Sequence, residues 1–592
     1  MNRIMKRPFL PLPAFRPYER SSLGPDVSAA TTVLFLAVPQ GLAYATIAGL
    51  PPAMGLYAAA IPTIVGSLFR SSSHVVSGPT NALSLLVGAA MAAGLGGDPI
   101  TIAVTLALLV GVFQLAGGAL RLGTLVNYIS SAVVLGYIVG AAALIGVGQL
   151  HNITGTTGPS GRLWAQLSGW IPEVGHTDPL SLAVAAGTVA VVVGSRVASA
   201  RTGRRIPGAI IAMSLAVVSN VALGLEGHGL RVIGDLAPIP SGLPSLTIPS
   251  LDRVGVLLSA AVACTALSLV EANAVARSIA SRTGQHVDAS TEIFAQGLSN
   301  ISAAFCGGYP VSGSLARSTL NERAGARTRM AGVFGGLLML GVLLTLGSVL
   351  DHTPLPSLAG LLLVVAYDLV DVERIRRTVR ASRADGVAFA TTMVGTWVLR
   401  LDTAIYFGIG ISLILFLRQA RLLSAHELLV GKDGVLHERE LGDEQALSDE
   451  VKQCDRIRFL HVEGSLFFGA SGELAGALES AMASPRIKVL VVRMKHTQGL
   501  DATSTAVLEA AARRLESAGR HLILVGLSAD MMAVLERSGA AGRLGRENLF
   551  AAEQRWFAAL NAARQRAISL CGDECATCPF AEALVTGGEI PR

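Results

Sequence analysis

Long apolar runs, separated by short polar or Gly/Pro-rich connections, fill the chain as far as Arg418. A transmembrane helix needs about 20 predominantly apolar residues, and a half-helix enclosed by protein needs fewer. On that criterion the pattern predicts about fourteen membrane segments. Their apolar cores start near Ala29, Tyr57, Thr80, Ile100, Ala132, Leu180, Ala209, Val254, Thr291, Leu315, Met330, Leu358, Ala384 and Thr403. The segments near Thr80 and Leu315 are short. After Arg418, "HELLVGKDGVLHERELGDEQALSDEVKQCD" is charged and reads as a connection. Strand-like and helix-like runs then alternate, as in a soluble α/β unit: "RIRFLHVEGSLFFGASGELAGALESAMA", "IKVLVVRM", "STAVLEAAARRLESAG", "HLILVGL" and "ADMMAVLERSG". The predicted division is a leader (1–25), a transmembrane domain (26–420), a linker (421–450), an α/β domain (451–565) and a cysteine-containing tail (566–592).

The two short segments share a grammar. "SSSHVVSGPTNALSLL" and "GGYPVSGSLARSTLN" each run from Gly/Pro/Ser breakers into a short helix. They are third and tenth in order, equivalent places if the fold is two seven-segment halves, and interrupted segments at matching places in two halves point to a transporter binding site. A half-helix presents free N–H groups and the positive end of its dipole to the interior, so two opposed tips make an anion site. Arg317, one turn into the second, adds a full positive charge. An arginine at the centre of a span costs roughly 2.5–3.5 kcal/mol on insertion scales, which calls for a reason. The alternative is a pair of ordinary kinks in packed helices, with Arg317 snorkelling to the membrane surface.

Composition agrees with a membrane protein: 51% of the 592 residues are hydrophobic and 15% charged. The net charge of +6 does not indicate nucleic-acid binding, because the arginines are spread over short links. With the N-terminus inside, links after even-numbered segments hold Arg70; Arg121; Arg196, Arg201, Arg204 and Arg205; Arg277 and Arg282; Arg323, Arg327 and Arg329; and Arg374, Arg376, Arg377, Arg380 and Arg383. The opposite links hold Arg162, Arg231, Arg253 and Arg400. The positive-inside rule then places both termini in the cytoplasm of a bacterial-type inner membrane. The basic, proline-rich N-terminus lacks the apolar run of a secretory signal. No nucleophile–base constellation or phosphate loop is present, so no enzyme is expected.

The stretch "VPQGLAYATIAGLPPAMGLYAAAIPTIVGSLFRSSSHVVSGPTNALSLL" (38–86) and "EIFAQGLSNISAAFCGGYPVSGSLARSTLNERAGARTRMAG" (292–332) resemble the SulP family of anion permeases, which includes sulfate, dicarboxylate and bicarbonate carriers and animal anion exchangers such as prestin. The resemblance extends to about Leu560. It implies a polytopic helical fold of fourteen segments in a seven-plus-seven inverted repeat with core and gate domains, a homodimer, and a C-terminal STAS domain. It implies an anion site between the tips of segments three and ten. Carried onto this sequence, Gln40 and Tyr44 are side-chain donors from segment one, Thr80 and Asn81 lie at one tip, and Ala316, Arg317 and Ser318 lie at the other. Family members often have serine where Ala316 stands, which removes one hydroxyl donor and leaves the anion's identity open.

Glu271, in the middle of segment eight, is the remaining intramembrane ionisable group singled out. Beside an anion site it would link proton binding to anion binding, as symport requires. It resembles glutamates assigned to proton coupling in the family's sulfate and dicarboxylate carriers. It does not obviously reproduce the aspartate-based sodium site of the bicarbonate carriers. A structural partnership with Arg317 or Arg277 is the other reading. In the α/β domain, "GLDATST" (499–505) occupies the place of the D-S-S-G loop of STAS domains, with Asp501 as a helix cap. Thr503 stands at the position phosphorylated in anti-sigma antagonists, and capping by its hydroxyl is the alternative. The domain is expected to serve dimerisation, trafficking or contact with a cytosolic protein. Cys571, Cys575 and Cys578 form a C-x3-C-x2-C run that suits a metal or iron–sulfur cluster, with inert or redox-sensitive thiols as the alternative. No other cofactor is expected. The expected activity is proton-coupled sulfate uptake, with dicarboxylate (succinate or fumarate) or bicarbonate transport, or uncoupled exchange or a channel, as rivals.

Overall fold

The computed structural model describes residues 18–92, 98–121, 130–156, 163–203, 206–421, 423–431, 436–441, 451–452, 454–553 and 558–572. Most of the leader, Arg162, Arg204, Arg205, residues 442–450, Cys575 and Cys578 lie outside them. The chain divides into two compact units, Met1–Leu413 and Ile414–Arg592.

Each apolar segment expected in the first unit is a helix. In order they are α1 (Leu23–Ile47), α2 (Pro52–Phe69), α3 (Asn81–Ala92), α4 (Pro99–Ala119), α5 (Ser131–Gly148), α6 (Pro179–Thr202), α7 (Gly208–Leu223), α8 (Val254–Thr283), α9 (Ala289–Phe305), α10 (Leu315–Arg323), α11 (Met330–Asp351), α12 (Leu355–Leu369), α13 (Arg383–Val398) and α14 (Leu401–Ala420). Among the described residues, nine helices are long and apolar enough to cross a membrane, and α3 and α7 are shorter apolar helices. The shortfall from the expected number comes from α3, α7, α9, α10 and α13. With 12, 16, 17, 9 and 16 residues they fall below full spanning length, whereas α12, itself 15 residues, is counted together with the helix Val372–Ala381 that follows it.

Packing partners repeat with a step of seven helices. α2 packs on α11 as α9 packs on α4, α1 on α10 as α8 on α3, α1 on α11 as α8 on α4, and α6 on α12 as α13 on α5. A seven-plus-seven repeat produces this pattern. The two breaker stretches meet at its centre, where β1 (Ser77–Gly78) pairs antiparallel with β2 (Ser312–Gly313).

Two glycines of the N-terminal motifs let α1 and α2 touch. A Cβ on Gly55 would collide with the Gly41 carbonyl, so the backbones approach more closely than side chains allow.

The interior holds a polar network that the charge pattern did not reveal. Arg70 is not a solvated loop cation. It is 1% exposed, pairs with Glu292 at 3.4 Å and donates to Ser77 Oγ. Glu292 also accepts from the backbone and hydroxyl of Ser71 and the backbone of Ser72, each at 2.8 Å. Gln296 and Asn300, also on α9, hold the Val311 backbone. Position in the chain placed Arg70 in a link. The tertiary fold instead uses it to anchor the turn leading into β1.

The second unit is a sheet in the order β4-β3-β6-β7-β8-β9, formed by β3 (Ser424–Gly431), β4 (Leu436–Glu440), β6 (Ile457–Ser465), β7 (Val489–Gln498), β8 (His521–Leu527) and β9 (Leu549–Ala551), with the short β5 (Val451–Lys452) paired to β3. Strands β6 to β9 are parallel, while β3 runs antiparallel to β4 and β6. Helices α15 (Ser471–Met482), α16 (Ala502–Ser517) and α17 (Ala529–Arg537) enclose one apolar core with the sheet. Helix α18 (Ala558–Cys571) closes a second core on Phe459, Val489 and Ile523.

Two expected boundaries are corrected here. The stretch taken as a linker holds β3 and β4, and its charges are in part structural: Glu427, buried in β3, pairs with Arg439 at 2.5 Å and Arg458 at 3.0 Å. Such pairing lets a charged hairpin sit in a sheet. The stretch taken as tail begins inside α18, which runs on to Cys571 because Ala559, Ala563, Ala567 and Cys571 make one apolar face.

Candidate functional site

The β1–β2 crossing places the tips of α3 and α10 side by side. Gly78 has φ of +150°, a conformation that favours glycine, and a Cβ there would strike the Arg317 guanidinium. Ser314, just before α10, caps it: its hydroxyl accepts from the Arg317 N–H at 3.4 Å and its carbonyl from the Ser318 N–H at 2.9 Å.

Arg317 does not snorkel. It is 1% exposed, and Nη2 donates to the carbonyl of Pro79 at the opposite tip. Its Nε has no partner, and among the described residues it forms no ion pair. The reading of Glu271 as its ion-pair partner is thereby set aside. Glu271 Oε2 instead accepts from Thr80 Oγ1 at 3.0 Å, so the carboxylate on α8 touches the tip of α3.

The seven expected binding residues divide into those near the crossing and those committed elsewhere. Gln40 and Tyr44 on α1 are buried, and α1 packs on α10; Gln40 Oε1 has no partner. Tyr44 lies within electrostatic reach of both Arg317 and Glu271. Thr80 is buried and engaged with Glu271. Asn81 is half-buried, and its Oδ1 accepts from the adjacent Ala82 N–H. Ala316 is exposed, and among the described hydrogen bonds its N–H and that of Leu315 have no protein acceptor. The amides of Arg317 and Ser318, expected to face an anion, are occupied by Ser314. The Ser318 hydroxyl accepts from the Val76 N–H at 2.9 Å, tying the two breaker loops together. Among the described hydrogen bonds, the uncommitted amides at this tip are therefore those of Ala316, one of the expected residues, and of Leu315, which was not expected.

Sequence reasoning missed Tyr309. It is fully buried, hydrogen-bonded to Ser84 on α3 at 2.9 Å, and electrostatically coupled to Arg317 and Tyr44. Nothing in its sequence neighbourhood distinguishes it from a core aromatic. Ser314 was legible, since a serine three residues before the capped N–H is a helix-start signal.

In the second unit, Asp501 caps α16 by accepting from the Ser504 N–H at 2.8 Å. Thr503 is exposed and, among the described hydrogen bonds, makes none through its hydroxyl, so capping does not account for it. Cys571 is 5% exposed in an apolar core, a packed thiol rather than a free ligand, and Cys575 and Cys578 lie outside the described residues.

The profile described as the Sulfate permease family matches residues 23–392, and that of the STAS domain matches 450–555. The chain is 27% identical over 544 residues to the "Probable sulfate transporter Rv1739c" of Mycobacterium tuberculosis, covering 90% of this chain and 95% of that one. It is 24% identical over 561 residues to the chloroplastic sulfate transporter 4.1 of Arabidopsis thaliana, covering 89% and 78%. Among solved structures, the murine Solute Carrier 26 family member A9 anion transporter in the inward-facing state superposes with a TM-score of 0.82 at 20% identity, over 93% of this chain and 92% of that one. The transmembrane domain of the cyanobacterial bicarbonate transporter BicA gives 0.58 at 23%, over 67% and 98%. The shared fold follows from the superpositions, and the profile match takes in more than half the chain. With apolar spanning helices and broken, opposed half-helices at their centre, this chain is an integral membrane transporter, not an enzyme, and it belongs to the sulfate permease family.

Proposed function

We propose that the protein takes up sulfate across the inner membrane, coupled to protons, with both termini cytoplasmic and two copies forming a dimer. The observation that carries the anion site is Arg317. A guanidinium stays charged at any accessible pH, and burying one without a carboxylate is expensive unless a ligand supplies the countercharge. Sulfate suits the donors around it: Arg317, the free amides of Leu315 and Ala316, and hydroxyl or amide groups from Thr80, Tyr44 and Gln40.

Glu271 supplies the coupling. While ionised it holds the Thr80 hydroxyl and repels a dianion. Once protonated it no longer repels, and Thr80 is free to turn its hydroxyl toward the ligand. Protons then raise sulfate affinity, and by linkage sulfate raises proton affinity. Movement of core against gate would carry the loaded site across.

The test is uptake of labelled sulfate into proteoliposomes, with and without an inward proton gradient. Gradient-stimulated sulfate uptake is expected, together with uptake by Glu271→Gln that no longer responds to the gradient. Succinate or bicarbonate uptake in place of sulfate would reassign the substrate. Large unitary currents would make the protein a channel, and a gradient response unchanged in Glu271→Gln would remove the coupling role.

A further inference from the structure

Outside the membrane unit, His461, Glu463 and His496 bring their ligand atoms within 4.8 Å of one another. The register of the sheet produces this meeting. His461 on β6 lies opposite Arg493 on β7, and regular parallel pairing would then set Lys495 opposite Glu463. A shift in register between His461 and Glu463 sets His496 there instead. Bulges re-aim side chains in this way and are rare in parallel pairs. The irregularity exchanges a lysine for an imidazole beside a carboxylate.

The protein also orients the inner ligand. His461 Nδ1 lies 2.8 Å from Glu438 Oε1 on β4, so Nδ1–H donates to the carboxylate and Nε2 carries the lone pair. Glu463 Oε1 is 3.5 Å from that Nε2. A carboxylate behind a histidine fixes the tautomer and ring orientation of metal-bound imidazoles. His461 is the buried member, with its side chain 3% exposed, while Glu463 is half-buried and His496 exposed. Arg493 Nη1 sits 3.0 Å from Nε2, where its N–H donates into the same lone pair that a metal would take.

We propose that His461 Nε2, Glu463 and His496 form a zinc site in the STAS unit, with Glu438 as the positioning residue and Arg493 as the group the metal displaces. Two imidazoles and a carboxylate select zinc over calcium or magnesium and leave a fourth position to water. Bound zinc would clip the ends of β6 and β7 together and, through Glu438, hold the β3–β4 hairpin against them.

The test uses the full-length, tag-free protein with Cys575→Ser and Cys578→Ser in every sample, so that tail thiols contribute nothing. Zinc is titrated in competition with a fluorescent chelator. A single saturable zinc per chain is expected. Exposed His496→Gln should lose it without changing the metal-free melting temperature, Glu438→Gln should bind about 10–100-fold more weakly, and Arg493→Gln should bind more tightly. No saturable zinc in either the parent or Arg493→Gln, or equal affinity in His496→Gln and the parent, would overturn the site.

Discussion

Arg70 and Arg317 are both 1% exposed, yet only Arg70 has a carboxylate beside it, Glu292 at 3.4 Å. The same chemistry therefore does two jobs. Removing one partner of a buried ion pair costs about 3–5 kcal/mol because the survivor is left uncompensated. Glu292→Ala should accordingly lower the yield of folded protein and its melting temperature, measured by thermal unfolding in detergent. Arg317→Ala removes a charge whose described partner is a carbonyl, that of Pro79, and not a carboxylate, so in sulfate-free buffer it should lower the melting temperature less than Glu292→Ala does. Its sulfate binding should fall by about 30-fold or more, the loss expected when one member of a buried charged contact, worth about 2–5 kcal/mol, is truncated. Sulfate affinity in Arg317→Ala equal to wild type would show that the guanidinium does not hold the anion.

At the scale of elements, the site depends on a crossing of two-residue strands rather than on any one helix. Gly78 carries the sharpest constraint, because a side chain there meets both an unfavourable backbone conformation and the Arg317 guanidinium. Strain of this kind costs of order 1–3 kcal/mol and is concentrated at functional sites. Gly78→Ala should retain membrane insertion while losing sulfate uptake. Gly224→Ala is the control: it also has positive φ, at +62°, but ends α7 with nothing within 4 Å of the added methyl. Its uptake should stay near wild type. A second close approach, Gly41 against Gly55, explains why the α1 and α2 motifs carry glycine at those places.

At the scale of the whole molecule, ligand binding should be visible as stability. A ligand at 100 times its dissociation constant stabilises the folded state by about 2.7 kcal/mol. Sulfate should therefore raise the melting temperature, and by more as pH falls, because protonation of Glu271 relieves repulsion of the dianion. In Glu271→Gln the sulfate-induced shift should no longer depend on pH. A shift in wild type that grows toward high pH would reverse the sign of the proposed linkage.

The order and kind of the elements was legible in the sequence, and so was the special character of 307–321. Apolar run length and breaker residues act locally, and a charge in lipid is costly wherever the chain later folds. Opposed half-helices at equivalent places could be read for the same reason. The roles of individual polar groups could not. Whether Arg70 is a loop cation or a buried anchor depends on Glu292, which lies more than two hundred residues away. Whether Ser318 faces an anion or binds Val76, and whether Glu271 meets Arg317 or Thr80, depends on which donors and acceptors the crossing brings within 3 Å or so. The charged hairpin at 424–440 was missed for a related reason: its strands are held by cross-sheet partners that the local pattern does not contain. Sequence alone determined where the membrane, the breaks and the α/β unit would be. The tertiary structure decided which buried arginine meets a carboxylate and which is left with only a carbonyl and an unpartnered Nε, because hydrogen bonds are satisfied by neighbours in space rather than by neighbours along the chain.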